Sequence, residues 1–162
     1  MSLKTISVLS FLVAVAAMLG LIYPPLLSGH RPGEFGNVRG QSNLFGTGPV
    51  SIGLQIAGLL LVLWARITFK SRSFHLAANP TEGGLVTTGP YHYIRNPIYA
   101  GAMLVIWTGV AVHASLMTGA LGVVFTAGML GRVFCEERLV RERYPEYEEY
   151  ARKTSRLVPM VW

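Results

Sequence analysis

Long apolar runs separated by polar, turn-rich connections set the plan of this chain. Ile6 to Leu27 is almost unbroken apolar, with Lys4 before it and Pro24-Pro25 near its end. Ile52 to Phe69 is a second run, with Arg66, Lys70 and Arg72 at its end; Arg66 can snorkel there at little cost. Ile98 to His113 and Leu116 to Phe134 follow, separated by His113-Ala114-Ser115, where His113 reads as an interfacial polar cap. At ~1.5 Å per residue the last two runs each extend roughly 24–28 Å, just enough for a bilayer core. The pattern predicts an all-α integral membrane protein with about four transmembrane helices. A secretory signal peptide is the rival reading of the first run, given its basic start and Ala14, Ala16 and Ala17, but its apolar stretch is too long.

The connections differ in kind. Ser28 to Gly48 is rich in Gly, Ser and Asn, with His30 read as a solvated loop residue. Ser71 to Asn96 holds Asn79-Pro80, Gly83-Gly84 and Gly89-Pro90, and a connection of that length is usually functional or disordered. Leu85-Val86-Thr87-Thr88 inside it reads as a short extended piece. From Arg132 onward the chain becomes strongly charged, as expected of an amphipathic helix broken at Pro145. Two small-residue patterns predict close helix approach: Ala16 with Gly20 in the first span, and Gly119, Gly122, Gly128 and Gly131 in the fourth. The smooth fourth helix is expected to accept a neighbour or an acyl or prenyl tail. No internal repeat or low-complexity segment divides the chain, so 1–162 reads as one membrane domain, with two spans in 1–70 and a core in 71–162.

Composition sharpens this plan. The chain is 51% hydrophobic and 14% charged, with mean hydropathy +0.43, too little polar surface for a soluble domain of this size. Its net charge of +6 raises nucleic acid as a partner, but placement argues against it. With four spans, all but two of the 14 Lys and Arg residues fall on one side, the exceptions being Arg31 and Arg39. That asymmetry marks topology, and it puts both termini, the long connection and the tail in the cytoplasm. Cys135 is the sole cysteine, so no intrachain disulfide forms, and it reads as a packing residue.

Candidate chemistry gathers in Gly89-Pro-Tyr-His-Tyr-Ile-Arg-Asn-Pro-Ile-Tyr-Ala-Gly101. Gly89-Pro90 reads as a turn, Asn96 as an N-cap and Pro97 as the first helical residue. Tyr91, Tyr93, Tyr99, His92 and Arg95 are expected around that helix mouth, whose free N–H groups suit an anionic group. An interfacial anchor is the plainer reading of the same residues. Folding the last two spans as an antiparallel hairpin places the Asn96 mouth beside Arg132 and Glu136, which share one helical face. Glu137 is rotated about 100° away. An anchor explains neither the glutamate nor the convergence, although a snorkelling Arg132 stays open.

Leu85-Val86-x-x-Gly89-Pro90-Tyr91 and Arg95-Asn96-Pro97-x-Tyr99-x-Gly101, continued by Glu136-Glu137, Tyr147-x-x-Tyr150 and Pro159, resemble the signature of the isoprenylcysteine carboxyl methyltransferase and phospholipid methyltransferase family. The resemblance covers roughly Gly84 to Pro159; residues 1–70 match only as generic spans. It implies an integral membrane enzyme that moves a methyl group from S-adenosylmethionine to a lipophilic acceptor at the cytoplasmic face, with the long loop and C-terminal helix forming the cofactor pocket. Carried over residue by residue, it implies that Leu85, Val86 and Tyr91 line that pocket from the loop. Asn96, Pro97, Ile98 and Tyr99 would line it from the helix mouth. Glu136 would hold a polar or cationic part of the cofactor, Arg132 would face the acceptor, and Arg95 would support the loop. Asn96 departs from the His of the eukaryotic carboxyl methyltransferases, and Tyr144-Pro145 replaces a Phe-Gly-type pair in a stretch one residue short; both bear on the acceptor. The alternatives are an NADPH-dependent membrane reductase of the sterol-reductase type and a non-enzymatic membrane adaptor. The expected partners are the bilayer and a lipophilic or lipidated acceptor, with no metal.

Overall fold

The computed structural model describes residues 2–22, 48–69, 85–112 and 114–161. Expectations for residues 28–47 (His30 among them), Asn79-Pro80, Gly83-Gly84 and His113 lie outside the described residues. Among those described there are five α-helices, one 3-10 turn and no strand. The α-helices are α1 (Leu3–Ile22), α2 (Pro49–Phe69), α3 (Pro97–Val112), α4 (Leu116–Arg143) and α5 (Tyr147–Lys153), and Gly89–His92 forms the 3-10 turn.

Local chemistry explains most boundaries. Pro97 opens α3, where its fixed φ and missing N–H cost nothing, and the Asn96 carbonyl accepts the first helical bond from Ala100 N–H at 3.0 Å. Ser115 opens α4 through a reciprocal cap: Thr118 N–H donates to Ser115 Oγ at 3.1 Å, and Ser115 N–H donates to Thr118 Oγ1 at 3.0 Å. The fourth apolar run ends at Phe134, but the helix does not. The same helix continues to Arg143, because nothing from Cys135 to Arg143 breaks a helix and Arg138 pairs with Glu142 one turn on at 3.5 Å. Helix stops only before Tyr144-Pro145, and α5 restarts beyond. The expected extended piece at Leu85–Thr88 is irregular chain rather than strand.

Among the described residues two helices, α2 and α4, are long and apolar enough to cross a membrane; Leu3–Leu19 of α1 and all of α3 are apolar but shorter. They pack as antiparallel pairs. In α2 and α3 the backbones touch at two glycines: a Cβ on Gly101 would lie 2.6 Å from the Gly58 carbonyl, and one on Gly58 2.8 Å from the Gly101 carbonyl. In α1 and α4 the contact runs through Ser10 and Ala14 against Gly128 and Gly131. Ala16 is exposed, and the small residues that α1 buries among the described side chains are Ser7, Ala14 and Ala17, the two alanines packed with Phe125 and Met129. The smooth face of α4 is correspondingly filled by protein. Ser10 occupies the space at Gly128 and Gly131, and Trp107 and Val110 cover Gly122, which leaves open space only at Gly119. α3 and α4 meet as the expected hairpin, joined by Trp107 Nε1–H donating to Thr126 Oγ1 at 2.9 Å. The start of α1, end of α2, start of α3 and later turns of α4 therefore share one end of the molecule.

At that end the C-terminal segment folds back as a strap. Arg95 N–H donates to the Ser155 carbonyl at 2.8 Å, Ser155 N–H to the Tyr93 carbonyl at 3.1 Å, and Asn96 N–H to the Arg156 carbonyl at 3.2 Å. Tyr150 Oη donates to the Tyr91 carbonyl at 2.7 Å, tying α5 to the 3-10 turn.

Candidate active site

Gly89 begins the site. Its φ of +60° suits glycine, and a Cβ there would lie 2.6 Å from Thr68 Oγ1, so the chain turns tightly against the end of α2. The turn sends Tyr91 inward, where its ring lies 5.8 Å from that of Phe69, and sends His92 and Tyr93 outward. The tyrosines and His92 thus do not all crowd the helix mouth. Burial pushes the Tyr91 phenol well above its usual range; the nearby Tyr150 and Glu136 add to this and Arg66 opposes it.

One turn into α3, Tyr99 meets α4. Arg132 Nε–H donates to Tyr99 Oη at 2.7 Å, and the same nitrogen lies 2.8 Å from Glu136 Oε1. Tyr99 is also hydrogen-bonded to Glu136, closing a three-membered polar cluster. Arg132 is buried, with 5% of its side chain exposed, which is not how a snorkelling arginine sits. Its guanidinium carbon lies 4.7 Å from the centre of the Phe11 ring on α1. Glu136 retains 26% exposure and is the cluster's opening to the outside.

Glu137 does something different. Buried, it accepts from Asn96 Nδ2 at 2.8 Å and from Arg95 Nε at 3.3 Å through Oε1, and from Arg156 Nε at 3.0 Å through Oε2. Asn96 also donates to the Arg156 carbonyl at 3.3 Å, so both hydrogens of its amide are engaged within the protein. Arg95 additionally donates to the carbonyls of Ala151 and Thr154 at the end of α5, favourable placement for a cation at a helix C-terminus. Three basic or amide groups around one carboxylate hold the loop, α4 and the strap in register.

Of the residues singled out in the sequence, Tyr99, Arg132 and Glu136 come together, with Tyr91 within electrostatic reach. Asn96 joins the Glu137 cluster instead. Pro97 is buried beneath the mouth, Ile98 half-buried beside it, and Leu85 and Val86 half-buried on the chain entering the turn. Cys135 is buried and in no disulfide. The contribution of Phe11 was not legible, because an isolated Phe in an apolar run carries no signal. Nor was the linkage of Glu137 to Arg156, although three basic or amide side chains bracketing a glutamate pair is a pattern worth seeking.

Comparison with known proteins adds to this geometry. A family model described as phospholipid methyltransferase matches residues 48–147, beginning at α2, further upstream than the motifs, and ending at Tyr147. The cobalt-zinc-cadmium resistance protein CzcN of Cupriavidus metallidurans is 29% identical over 118 residues, 70% of this chain and 51% of that protein. The nickel-cobalt-cadmium resistance protein NccN of Alcaligenes xylosoxydans xylosoxydans is 25% identical over 113 residues, 69% of this chain and 53% of its own length. The chain spans about half the length of both relatives. No solved structure matches.

Proposed function

The chain belongs to the phospholipid methyltransferase family, and on that premise we propose that it moves a methyl group from S-adenosylmethionine to a lipophilic acceptor at a membrane face. The observation that carries this reading is the meeting of Tyr99, Arg132 and Glu136, from two helices, inside the matched segment. The donor set suits a cofactor that is cationic at sulfur and zwitterionic at its amino-acid end. Glu136 offers a partly open carboxylate, and Tyr91 and Tyr99 add electron-rich rings near it.

In this reading Leu85, Val86 and Tyr91 hold the cofactor from the loop, with Pro97, Ile98 and Tyr99 at the helix mouth and Glu136 opposite. Asn96 contributes by fixing that mouth to Glu137. S-adenosylmethionine, when bound, supplies a methyl group already activated by its sulfonium. A carboxylate or thiolate acceptor then needs no general base, and the residues' task is alignment and exclusion of water. An amine acceptor must also lose a proton, and Glu136 is the carboxylate at hand. Arg132 faces the acceptor and suits a carboxylate or phosphate on it.

The shared end of the four apolar helices supports a four-span topology, with that end cytoplasmic by the distribution of basic residues. The exposed face of α2, where Leu60, Leu63, Trp64 and Ile67 line an apolar groove of about 500 Å³, then meets the bilayer. Cysteine labelling of a residue in 28–47 and of one near Lys153 is expected from opposite sides; labelling of both from one side sinks this topology.

The function is tested in detergent by calorimetry with S-adenosylhomocysteine and with NADPH, followed by labelled methyl transfer to fractionated lipids. Binding of the former and not the latter is expected. NADPH binding would favour a reductase, and binding of neither a non-enzymatic adaptor. The metal-resistance names of the two relatives add one condition to the screen: lipids from cells grown with and without cobalt, zinc or cadmium.

A further inference from the structure

We infer that Phe11, on the helix preceding the family-matched segment, is a positioning residue that sets the plane of the Arg132 guanidinium toward the methyl acceptor. The inference rests on the methyltransferase reading above and deepens it on the acceptor side.

Arg132 is held on two sides. Tyr99 Oη at 2.7 Å and Glu136 Oε1 at 2.8 Å both lie against Nε, so they fix one edge of the guanidinium. The Phe11 ring, 4.7 Å from the guanidinium carbon, adds a contact to its face, because a planar cation is attracted to the face of an aromatic ring. With one edge and one face engaged, the guanidinium plane has a set direction, which is what recognition of a carboxylate or phosphate requires.

The ring's position follows from how α1 docks. Ser10, its sequence neighbour, is the residue that approaches the α4 backbone at both glycines: a Cβ on Gly128 would lie 2.7 Å from the Ser10 carbonyl, and one on Gly131 2.8 Å from Ser10 Oγ. A larger residue at either glycine would push α1 outward and carry Phe11 off Arg132. The register is also reinforced by Ala14 and Ala17 against Phe125 and Met129. The N-terminal helix is thus a wall of the site as well as an apolar span.

The test compares Phe11→Leu, which keeps an apolar side chain but removes the ring face, with Phe11→Trp, which restores one. Three readings are taken on full-length protein in micelles: S-adenosylhomocysteine affinity, methyl transfer, and the side-chain Nε–H resonance of Arg132, assigned by its loss in Arg132→Lys. The acceptors are phosphatidylethanolamine vesicles and N-acetyl-S-farnesylcysteine. Phe11→Leu is expected to lower kcat/KM for the methylated acceptor about 3- to 30-fold, the range of a partly desolvated cation–π contact. Cofactor affinity should stay within about twofold, the Arg132 resonance should shift, and Phe11→Trp should recover most of both changes. If wild-type protein binds no S-adenosylhomocysteine or methylates neither acceptor, the functional reading is what has failed, and the resonance alone decides whether Phe11 positions Arg132. An Arg132 resonance or an acceptor kcat/KM unmoved by Phe11→Leu overturns the inference, as does a loss that Phe11→Trp leaves in place.

Discussion

Glu136 and Glu137 are neighbours in sequence yet serve two separate clusters. Glu136 pairs with Arg132 and Tyr99 and keeps a quarter of its surface open, whereas Glu137 is buried under Arg95, Asn96 and Arg156. The ~100° step between adjacent helical residues makes this division possible: one turn of α4 presents one carboxylate to the site and the other to the scaffold.

The pair should therefore separate binding from stability. Glu137→Ala leaves two arginines and a buried amide without their acceptor, and removing one partner of a buried ion pair typically costs about 3–5 kcal/mol. A large drop in thermal midpoint is expected. Glu136→Ala strips one partner from Arg132 but at a carboxylate a quarter exposed, so it should lower the midpoint less than Glu137→Ala and weaken S-adenosylhomocysteine about ten- to hundredfold, the scale of a lost charged hydrogen bond. Equal effects of the two variants on both measurements would refute the division.

Glycine contacts give a purely structural prediction. Gly101→Ala places a methyl 2.6 Å from the Gly58 carbonyl and 2.8 Å from Val62 Cγ2, so α2 and α3 must part, at about 1–3 kcal/mol. Gly109, on the same helix, has open space around it, and Gly109→Ala should be neutral or stabilising by up to ~1 kcal/mol. Thermal midpoints in one detergent check the contrast; a Gly101→Ala protein as stable as Gly109→Ala would show that the helices are not so close.

Much of this site was legible because its cues are local or follow from simple geometry. Proline after asparagine fixed the start of α3, and the hairpin about Ala114 brought Tyr99 and Glu136 to the same level. What stayed hidden depends on partner choice between distant segments. An apolar α1 offers many faces for burial, and the close approach at Gly128 and Gly131 selects the one that carries Phe11. The role of Glu137 depends on a strap folding back to deliver Arg156, which no periodicity announces. The motif's Gly101 gains a physical reason only once α2 is seen against it.

Alkaline titration probes the strap. Burial raises the phenols of Tyr91, Tyr147 and Tyr150, the last to about 12. Because the folded values lie above the unfolded value of ~10, these side chains favour the fold fully below pH ~10. That contribution is lost as pH rises through the folded values, so the fold should loosen from about pH 10 upward, with tyrosinate absorbance and loss of helical circular dichroism rising together near pH 12. Complete tyrosine ionisation below pH ~11 with unchanged helicity would contradict the burial of these rings.

Arg132→Lys bears most directly on mechanism. Lysine keeps the charge, and its ammonium reaches Glu136 or Tyr99, but it has no planar fork and no flat face to lie on Phe11. If Arg132 served only to neutralise Glu136, the substitution would be silent in turnover and in cofactor binding alike. If it orients an anionic acceptor, methyl transfer should fall by one to two orders of magnitude, the scale of about 1.4–2.8 kcal/mol in transition-state stabilisation. S-adenosylhomocysteine affinity should change little, because Glu136 and the loop carry that binding. The two measurements, made on the acceptor that the lipid screen identifies, distinguish these cases: a rate equal to wild type removes Arg132 from acceptor recognition, and a parallel loss of rate and cofactor affinity moves it to the cofactor side of the site.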